Sequence, residues 1–305
     1  KDYRQVLSSM SKFKLMKQLI IYFYIASTFL LSNTVYHIPI EGTIDLGLPP
    51  YIERSIKEAE TNNAVSIIFE VNTFGGRVDA ATQIKDAILD SKVPTVAFIN
   101  KRAISAGALI SLSCEKIYMT GGATIGATTA VDMSGNKASE KVISYMREEM
   151  AATAEKRGRN KHIARGMVDE ELEFPSKVKN EYVTSDDEID TVKTIIYYLI
   201  MDNDTIYVDD IEGRKQGNLI TLTTEQALKY KIADRSADTF NSVLDSLGFS
   251  NANVQTTSEN WSENFVRFLT NPVVASLLTT FGFLGILFEL QSPGWGIPGS
   301  IGLIC

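Results

Sequence analysis

Histidine and cysteine are scarce in this sequence, which has only two of each among its 305 residues. Cys114 and Cys305 are far apart and fit no disulfide or metal-binding framework. No CxxC, HExxH or P-loop pattern occurs, so a structural zinc and a nucleotide site have no support. Neither His37 nor His162 stands in a catalytic-triad context, and a structural or surface role is expected for both.

Basic residues are also fewer than acidic ones. Lys and Arg number 30 against 37 Asp and Glu, giving a formal net charge of -7. This balance argues against a general nucleic-acid binder. The hydrophobic fraction of 44% is large enough for a sizeable core, and the length suits one large domain or two modest ones.

A long apolar run lies near each end of the sequence. Residues 18–40 contain no Asp, Glu, Lys or Arg and follow Lys12, Lys14 and Lys17. A basic stretch before an apolar run is typical of a secretory signal, so residues 1–34 are predicted to be a signal peptide or an N-terminal anchor.

The second apolar run, residues 271–305, has Glu289 as its single charged residue. Its segment "VVASLLTTFGFLGILFELQ" is close to the roughly 20 residues that cross a bilayer. Residues 271–305 are therefore predicted to begin a transmembrane region, with Glu289 turned toward protein, water or the interface because a lipid-facing carboxylate is costly.

Strand and helix patterns alternate between the two apolar runs. "AVSIIFEVNT" and "PTVAFIN" are near-continuous apolar runs typical of strands buried on both faces. Helical patterns follow each of them, and residues 137–157 form a long amphipathic one. The sequence thus predicts an α/β domain over residues 35–249, with a parallel sheet and right-handed βαβ units.

Two segments depart from this pattern. Residues 170–217 contain acidic stretches such as "TSDDEIDTV", and we interpret them as an acidic insertion without an obvious contribution to the core. Residues 250–270 begin with a polar stretch and are predicted to be a linker.

Ser105 is the first candidate for chemistry. It follows a predicted buried strand and begins a helical run, which would place it at the carboxyl edge of a parallel sheet. Free N–H groups at the start of a helix favour negative charge, and Ala106 and Gly107 leave room for a substrate backbone. From the residues alone, a simple N-cap serine is the more ordinary interpretation. The glycines of "NTFGGR" could likewise form an oxyanion-binding turn or an ordinary tight turn.

A serine nucleophile requires a proton acceptor, and a desolvated lysine can serve. Lys137 and Lys141 lie one turn apart at the predicted start of the long helix. From the residues alone, a solvated surface lysine is the more ordinary interpretation of each.

Several motifs in order resemble one family. They are "NTFGGRVDAA", "AISAGALISLSCEKIYM", "ATIGATT", a lysine before a long helix ending in "GRN", "LTTEQALKYKIAD", and "LTNPVVASLLTTFGFLGILFELQSPGWGIPG". This order resembles the long-form NfeD membrane proteases, relatives of Clp protease and signal peptide peptidase A. The resemblance covers residues 35–305 and is weakest across the acidic insertion.

The resemblance implies a Clp/crotonase-type fold and a serine endopeptidase with a Ser–Lys dyad. The family serine falls on Ser105 and the family lysine on Lys141 rather than Lys137. The oxyanion donors would be the backbone N–H groups of Gly76 and Ala106, with Gly75 the neighbour most easily confused with Gly76. No metal or organic cofactor is implied. Many relatives have proline where this chain has Phe74, which leaves the shape of the turn open.

The resemblance also implies an extracytoplasmic protease domain on a multi-pass anchor in the cell membrane. Its expected substrates are apolar segments of membrane-associated proteins, with stomatin-like proteins as partners, and a homo-oligomer is expected. Two alternatives remain open: a crotonase-type acyl-coenzyme A enzyme, and an inactive membrane scaffold for stomatin-like proteins.

Overall fold

A computed structural model describes residues 17, 33–129, 131, 136–185, 188–201, 204–211, 213, 215–291 and 296–305. For residues 180–192 and 201 it describes at most the backbone. Nearly all of the predicted leader, residues 1–34, lies outside the described residues, as do residues 292–295 of the apolar C-terminal run.

The core of the fold is a sheet in which six strands follow the order β10-β4-β3-β2-β1-β11. Every neighbouring pair along this path is parallel. Its central strands are apolar because helices cover both faces. The strands are β1 (Thr34–Ile44), β2 (Ser66–Gly76), β3 (Thr95–Ile104), β4 (Lys116–Met119), β10 (Arg235–Ser236) and β11 (Asn253–Thr256).

Helices connect successive strands of the sheet: α1 (Leu48–Thr61), α2 (Val78–Asp90) and α3 (Ala106–Ser113). The predicted α/β domain with βαβ units is confirmed. One boundary differs from the predicted turn after the strand, since β2 continues through Gly75 and Gly76. The reason is that β1 still pairs with this end of β2, with Thr43 opposite Gly75 and Ile44 opposite Gly76.

A second layer of chain packs beyond α3. It comprises β5 (Thr124–Gly126), α4 (Glu140–Lys156), α5 (Lys161–Gly166), β9 (Thr221–Thr223) and α6 (Thr224–Lys229). The helix α7 (Phe240–Leu247) instead covers the opposite face of the sheet, where Val243 and Leu244 are buried against Ile68 and Phe98. β5 pairs with β3 and, antiparallel, with β9. Thr223 caps α6, and its hydroxyl and the Gln226 side chain form a reciprocal capping box.

The acidic stretch 170–217 contains an antiparallel sheet of three strands: β6 (Ser176–Ser185), β7 (Glu188–Met201) and β8 (Asp204–Val208). Contrary to expectation, it contributes to the main core, because Tyr197, Leu199 and Val208 are buried there. Alternation on β7 explains the difference, since Leu199 is buried and the next residue, Ile200, is exposed. The acidic composition concealed this pattern.

The C-terminal segment continues the packed structure. Residues 250–270 include β11, which pairs with β1, and α8 (Trp261–Thr270). Then follow α9 (Pro272–Leu290) and α10 (Ile297–Ile304). α9 has 19 residues with a mean hydropathy of 2.0, and it is the one helix in the described part of the chain long and apolar enough to cross a membrane.

Glycines bring α9 and α10 into close contact. A Cβ added at Gly285 would lie 2.5 Å from the carbonyl oxygen of Pro298 and 2.9 Å from the Cα of Gly302. The carboxylate of Glu289 accepts hydrogen bonds from the N–H groups of Gly296 and Gly299, at the N-terminus of α10. Glu289 therefore faces protein, as the cost of exposing a carboxylate to lipid predicts.

Arg159 joins the ends of two helices that matter for the candidate site. It follows α4 and is only 7% exposed. Its guanidinium donates to the carbonyl oxygens of Leu112, Cys114, Glu115 and Ile232 and to the Asp234 carboxylate, at 2.9–3.3 Å. Because three of these carbonyls belong to or follow the last turn of α3, one side chain ties α3 to the segment after α4.

We expect Arg159→Lys to lower the free energy of unfolding by about 2–4 kcal/mol. A lysine cannot reproduce the planar fork and would leave buried carbonyl groups unpaired. Urea unfolding of the detergent-solubilised chain measures the change. Arg235→Lys, at an exposed position, is the matched control and should change stability by less than about 0.5 kcal/mol. Equal stability of the two variants would contradict the joining role.

Candidate active site

Two neighbouring parallel strands end at the same edge of the sheet and carry candidate site residues. β2 ends in Gly75 and Gly76, and β3 ends at Ile104, immediately before Ser105. Ser105 is followed at once by α3, which begins at Ala106. The carboxyl edge of a parallel sheet is where α/β proteins usually bind ligands.

Ser105 has an unusual backbone conformation. Its φ is 56° and its ψ is -119°, a positive-φ region that costs a non-glycine residue about 1–3 kcal/mol. It lies at the N-cap position of α3, but its side chain forms no capping hydrogen bond. Among the described residues its hydroxyl has no hydrogen-bond partner, so the simple N-cap interpretation of Ser105 is wrong. The backbone N–H donates to the carbonyl oxygen of Gly126 at 2.9 Å.

Gly75 lies directly against Ser105. Its φ is +104°, and a Cβ added there would lie 2.6 Å from the Ser105 Cβ and 3.0 Å from its Oγ. Gly107 makes a second close approach, because a Cβ there would lie 2.5 Å from the Thr73 Cγ2. Only glycine at these two positions lets the end of β2 meet the start of α3.

Thr73 organises the end of β2, residues 73–76, which we call the glycine turn. This role of Thr73 was not predicted from the sequence. Its hydroxyl donates to the carbonyl oxygen of Gly42 at 2.5 Å and accepts from the Gly75 N–H at 2.9 Å. The side chain is almost fully buried. A hydroxyl residue at the end of an apolar strand and just before two glycines was the signal that could have indicated this role.

The same contacts distinguish the two glycines as hydrogen-bond donors. The Gly75 N–H is already engaged by Thr73. Two residues further on, the Arg77 N–H donates to the Ile44 carbonyl oxygen of β1 at 2.8 Å. Gly76 lies between these two donors and pairs in register with Ile44 of β1. Ala106 is the first residue of α3, so its N–H has no acceptor within the helix.

Phe74 projects from the glycine turn into solvent. Its side chain is 73% exposed, and the Arg102 guanidinium lies 4.4 Å from the centre of its ring. The backbone around it keeps Gly75 against Ser105, so phenylalanine at this position is compatible with a closed glycine turn.

The two candidate lysines differ in position and in partners. α4 begins at Glu140, so Lys137 precedes the helix, which corrects the expectation that both lysines begin it. The Lys137 ammonium lies 2.5 Å from the Glu170 carboxylate, and this hydrogen bond raises the pKa of Lys137. Lys137 is therefore held in the protonated form and is unsuited to act as a base.

Lys141 lies in the first turn of α4, and its side chain is exposed. Within the part of the chain that the structure describes, it forms no hydrogen bond or ion pair, and the structure does not join it to Ser105. α4 packs against α3, the helix that follows Ser105. The structure thus brings Gly75, Ser105 and Ala106 together and leaves Lys141 apart from them.

The two histidines lie outside this group. The His37 ring nitrogens contact Thr256 at 3.1 Å and Glu70 at 2.8 Å, and the hydrogen bond from His37 lowers the pKa of Glu70. His162 follows Asn160, whose side chain caps α5. The described residues include no group of three or more His, Cys, Asp or Glu that could hold a metal ion.

Comparison with family models matches two regions of the chain. The N-terminal domain of NfeD1b matches residues 34–188, and the NfeD integral membrane domain matches residues 273–305. The chain belongs to the NfeD family of membrane proteins. The family resemblance drawn from the motifs is confirmed.

Two curated relatives extend the match. Membrane protein NfeD1b of Bacillus subtilis (strain 168) is 34% identical over 273 residues, covering 90% of this chain and 54% of the relative. Membrane-bound protease PH1510 of Pyrococcus horikoshii is 26% identical over 299 residues, covering 95% of this chain and 60% of the relative. The chain thus spans little more than half the length of these relatives.

The fold is similar to solved structures of the 1510-N membrane-bound stomatin-specific protease. A mutant in complex with a substrate peptide has a TM-score of 0.58 at 24% identity, covering 79% of this chain and 99% of that one. A structure described as specific for a stomatin homolog from Pyrococcus horikoshii has a TM-score of 0.51 at 24% identity, covering 78% and 99%. At this identity the likeness shows a shared fold.

The strain at Ser105 leads to a stability prediction. Ser105→Gly should be more stable than Ser105→Ala by about 1 kcal/mol, because glycine accepts a positive φ without steric cost. Urea unfolding of both variants in detergent measures the difference.

Ser111, inside α3, provides the matched control, since Ser111→Gly should be less stable than Ser111→Ala by about 1 kcal/mol. The same order of stability at both positions would show that the backbone of Ser105 is not strained.

Proposed function

We propose that this NfeD protein is a membrane-anchored serine endopeptidase in which Ser105 is the nucleophile. The observation that carries the proposal is a serine hydroxyl that has no hydrogen-bond partner among the described residues and is held in a strained conformation against Gly75. Strained residues at a sheet edge are typical of functional sites. The protease relatives support the peptidase class.

Lys141 is the proposed general base. As a neutral amine it would take the proton of the Ser105 hydroxyl during attack on a peptide carbonyl, and then protonate the leaving amine. Because the Lys141 side chain is exposed and unpartnered among the described residues, this role requires the start of α4 to approach Ser105 when substrate binds. Lys137 is a poorer candidate because its hydrogen bond to the Glu170 carboxylate favours the protonated ammonium.

The tetrahedral intermediate needs donors for its oxyanion. We propose the N–H groups of Gly76 and Ala106, since the Gly75 N–H is occupied by Thr73 and the Ser105 N–H by Gly126. Loss of one such donor typically costs a factor of about 100–1000 in kcat. Water then releases the acyl-enzyme, and the proposed reaction uses no cofactor.

The proposed substrates are apolar segments of membrane-associated proteins. The 1510-N relative is described as stomatin-specific, and on that basis stomatin-like proteins are the proposed partners. We also propose a homo-oligomer whose protease domain lies outside the cytoplasm, on a multi-pass anchor that includes α9.

One observation favours a second candidate function. Lys141 does not contact Ser105 in this structure. An inactive scaffold that organises stomatin-like proteins would show the same separation of the two side chains. The acyl-coenzyme A alternative has no comparable support, because the relatives reported above are membrane proteins and proteases.

Ser105→Ala and Lys141→Ala should each lower cleavage of an apolar peptide by about a thousandfold or more, since dyad members act as one unit. The measurement is peptide turnover by the detergent-solubilised chain. Labelling of Ser105 by a fluorophosphonate probe should also be lost in Lys141→Ala.

Lys137→Ala is the matched control for that experiment and should retain most of the activity. Turnover that is the same in all three variants and the unaltered chain would contradict the assignment. A folded, unlabelled and inactive unaltered chain would instead favour the scaffold.

Thr73→Val should reduce peptide turnover by about 100-fold, because the glycine turn loses the hydroxyl that holds the Gly75 N–H. Thr73→Ser keeps that hydroxyl and should retain most of the activity. Rates are compared at a temperature where both variants remain folded by circular dichroism. Similar losses in the two variants would point to packing against Gly107 rather than to the hydrogen bond.

A further inference from the structure

The helix α8 turns its polar side toward the α/β domain and its apolar side outward. This is the opposite of the usual arrangement for a helix on a domain surface. Its polar residues Glu263 and Arg267 face the α/β domain, and the Glu263 side chain is only 6% exposed. Its large apolar residues face outward: Trp261, Phe265 and Phe268 are 79%, 47% and 56% exposed. A helix packed on a water-exposed domain normally buries its apolar side instead.

Specific polar contacts fix this orientation. Arg54 of α1 forms a two-pronged ion pair with Glu263, at 2.8 and 2.9 Å. Arg267 donates to the Asp45 carboxylate at 2.9 Å and to the Thr43 carbonyl oxygen at 3.1 Å. Gly47 packs closely beneath, since a Cβ there would lie 2.4 Å from the Arg267 Cγ. The outward direction of the apolar side is therefore set by the domain.

The position of α8 in the chain identifies what covers that side. Only Asn271 separates α8 from α9, and its side chain caps α9 by accepting from the N–H groups of Val273 and Val274. α9 lies within the region matched by the NfeD integral membrane domain. A helix that ends one residue before a bilayer-spanning helix must lie at the level of the bilayer surface.

We propose that the outward side of α8, formed by Trp261, Phe265, Phe268 and Leu269, lies in the interfacial layer of the lipid bilayer. Aromatic residues are favoured at that level because the ring body is apolar while the indole N–H can reach water or headgroups. Trp261 and Phe265 stack with their ring centres 5.6 Å apart, giving one continuous apolar surface. The lipid contact and the ion pairs on the opposite side together hold the domain at a fixed orientation to the membrane.

The experiment measures where the Trp261 side chain lies. The chain has two tryptophans, so Trp295→Phe leaves Trp261 as the single reporter. The full chain carrying Trp295→Phe is reconstituted into phosphatidylcholine vesicles. We expect strong quenching of Trp261 by lipids brominated near the headgroup end of the acyl chain, and weak quenching by iodide in the buffer.

Two references calibrate the result. A chain with Trp261→Phe, Trp295→Phe and Leu277→Trp places a reporter in the exposed side of α9 and gives the lipid-embedded value. N-acetyltryptophanamide outside the vesicles gives the aqueous value.

Quenching of Trp261 by iodide but not by brominated lipid would overturn the proposal. So would protection from both quenchers, which would mean that protein, such as a second copy of the chain, covers α8. The measurement needs no catalysis and is repeated in Ser105→Ala, so its failure would leave the proposed peptidase function untouched.

Discussion

The contact between Gly75 and Ser105 is the constraint on which the candidate site depends. The adjacent parallel strands β2 and β3 end together. Where the chain turns from β3 into α3 at Ser105, no space remains for a side chain on the facing residue of β2. Gly75 is that residue, and Ser105 accepts a positive φ that most residues avoid. The strain is maintained because the strands on both sides are buried in the sheet and cannot relax.

The surrounding elements keep this contact in place from several directions. The Thr73 hydroxyl links the glycine turn to β1, and the Gly126 carbonyl of β5 holds the Ser105 N–H. Arg159 ties the far end of α3 to the chain after α4. The helix that follows Ser105 is thus fixed at both ends, whereas Lys141 at the start of α4 has no such attachment among the described residues. In the proposed dyad, the serine is therefore fixed and the exposed lysine would have to approach it when substrate binds.

The membrane attachment reaches the same edge of the sheet. Arg267 of α8 donates to the carbonyl of Thr43, and Thr43 pairs in register with Gly75. One strand therefore connects α8 to the glycine turn. With α8 at the bilayer surface, as proposed, this connection would relate the position of the candidate site to the lipid surface. β11 and α8 occupy the segment whose composition suggested a linker.

The sequence by itself determined the βαβ order, the apolar strands, the family and the apolar helix α9, because each is written in local periodicity or in motifs that follow one another along the chain. It also indicated Ser105, but from the residues alone capping of α3 was the more ordinary role for its hydroxyl. Only the tertiary structure decided against capping, since φ, ψ and the approach of Gly75 arise from strands distant in sequence. The same holds for Thr73, for the Lys137–Glu170 pair and for the buried residues of β7. Their roles depend on partners that no local pattern specifies, and the outward apolar side of α8 is visible only once its ion pairs show which side faces the domain.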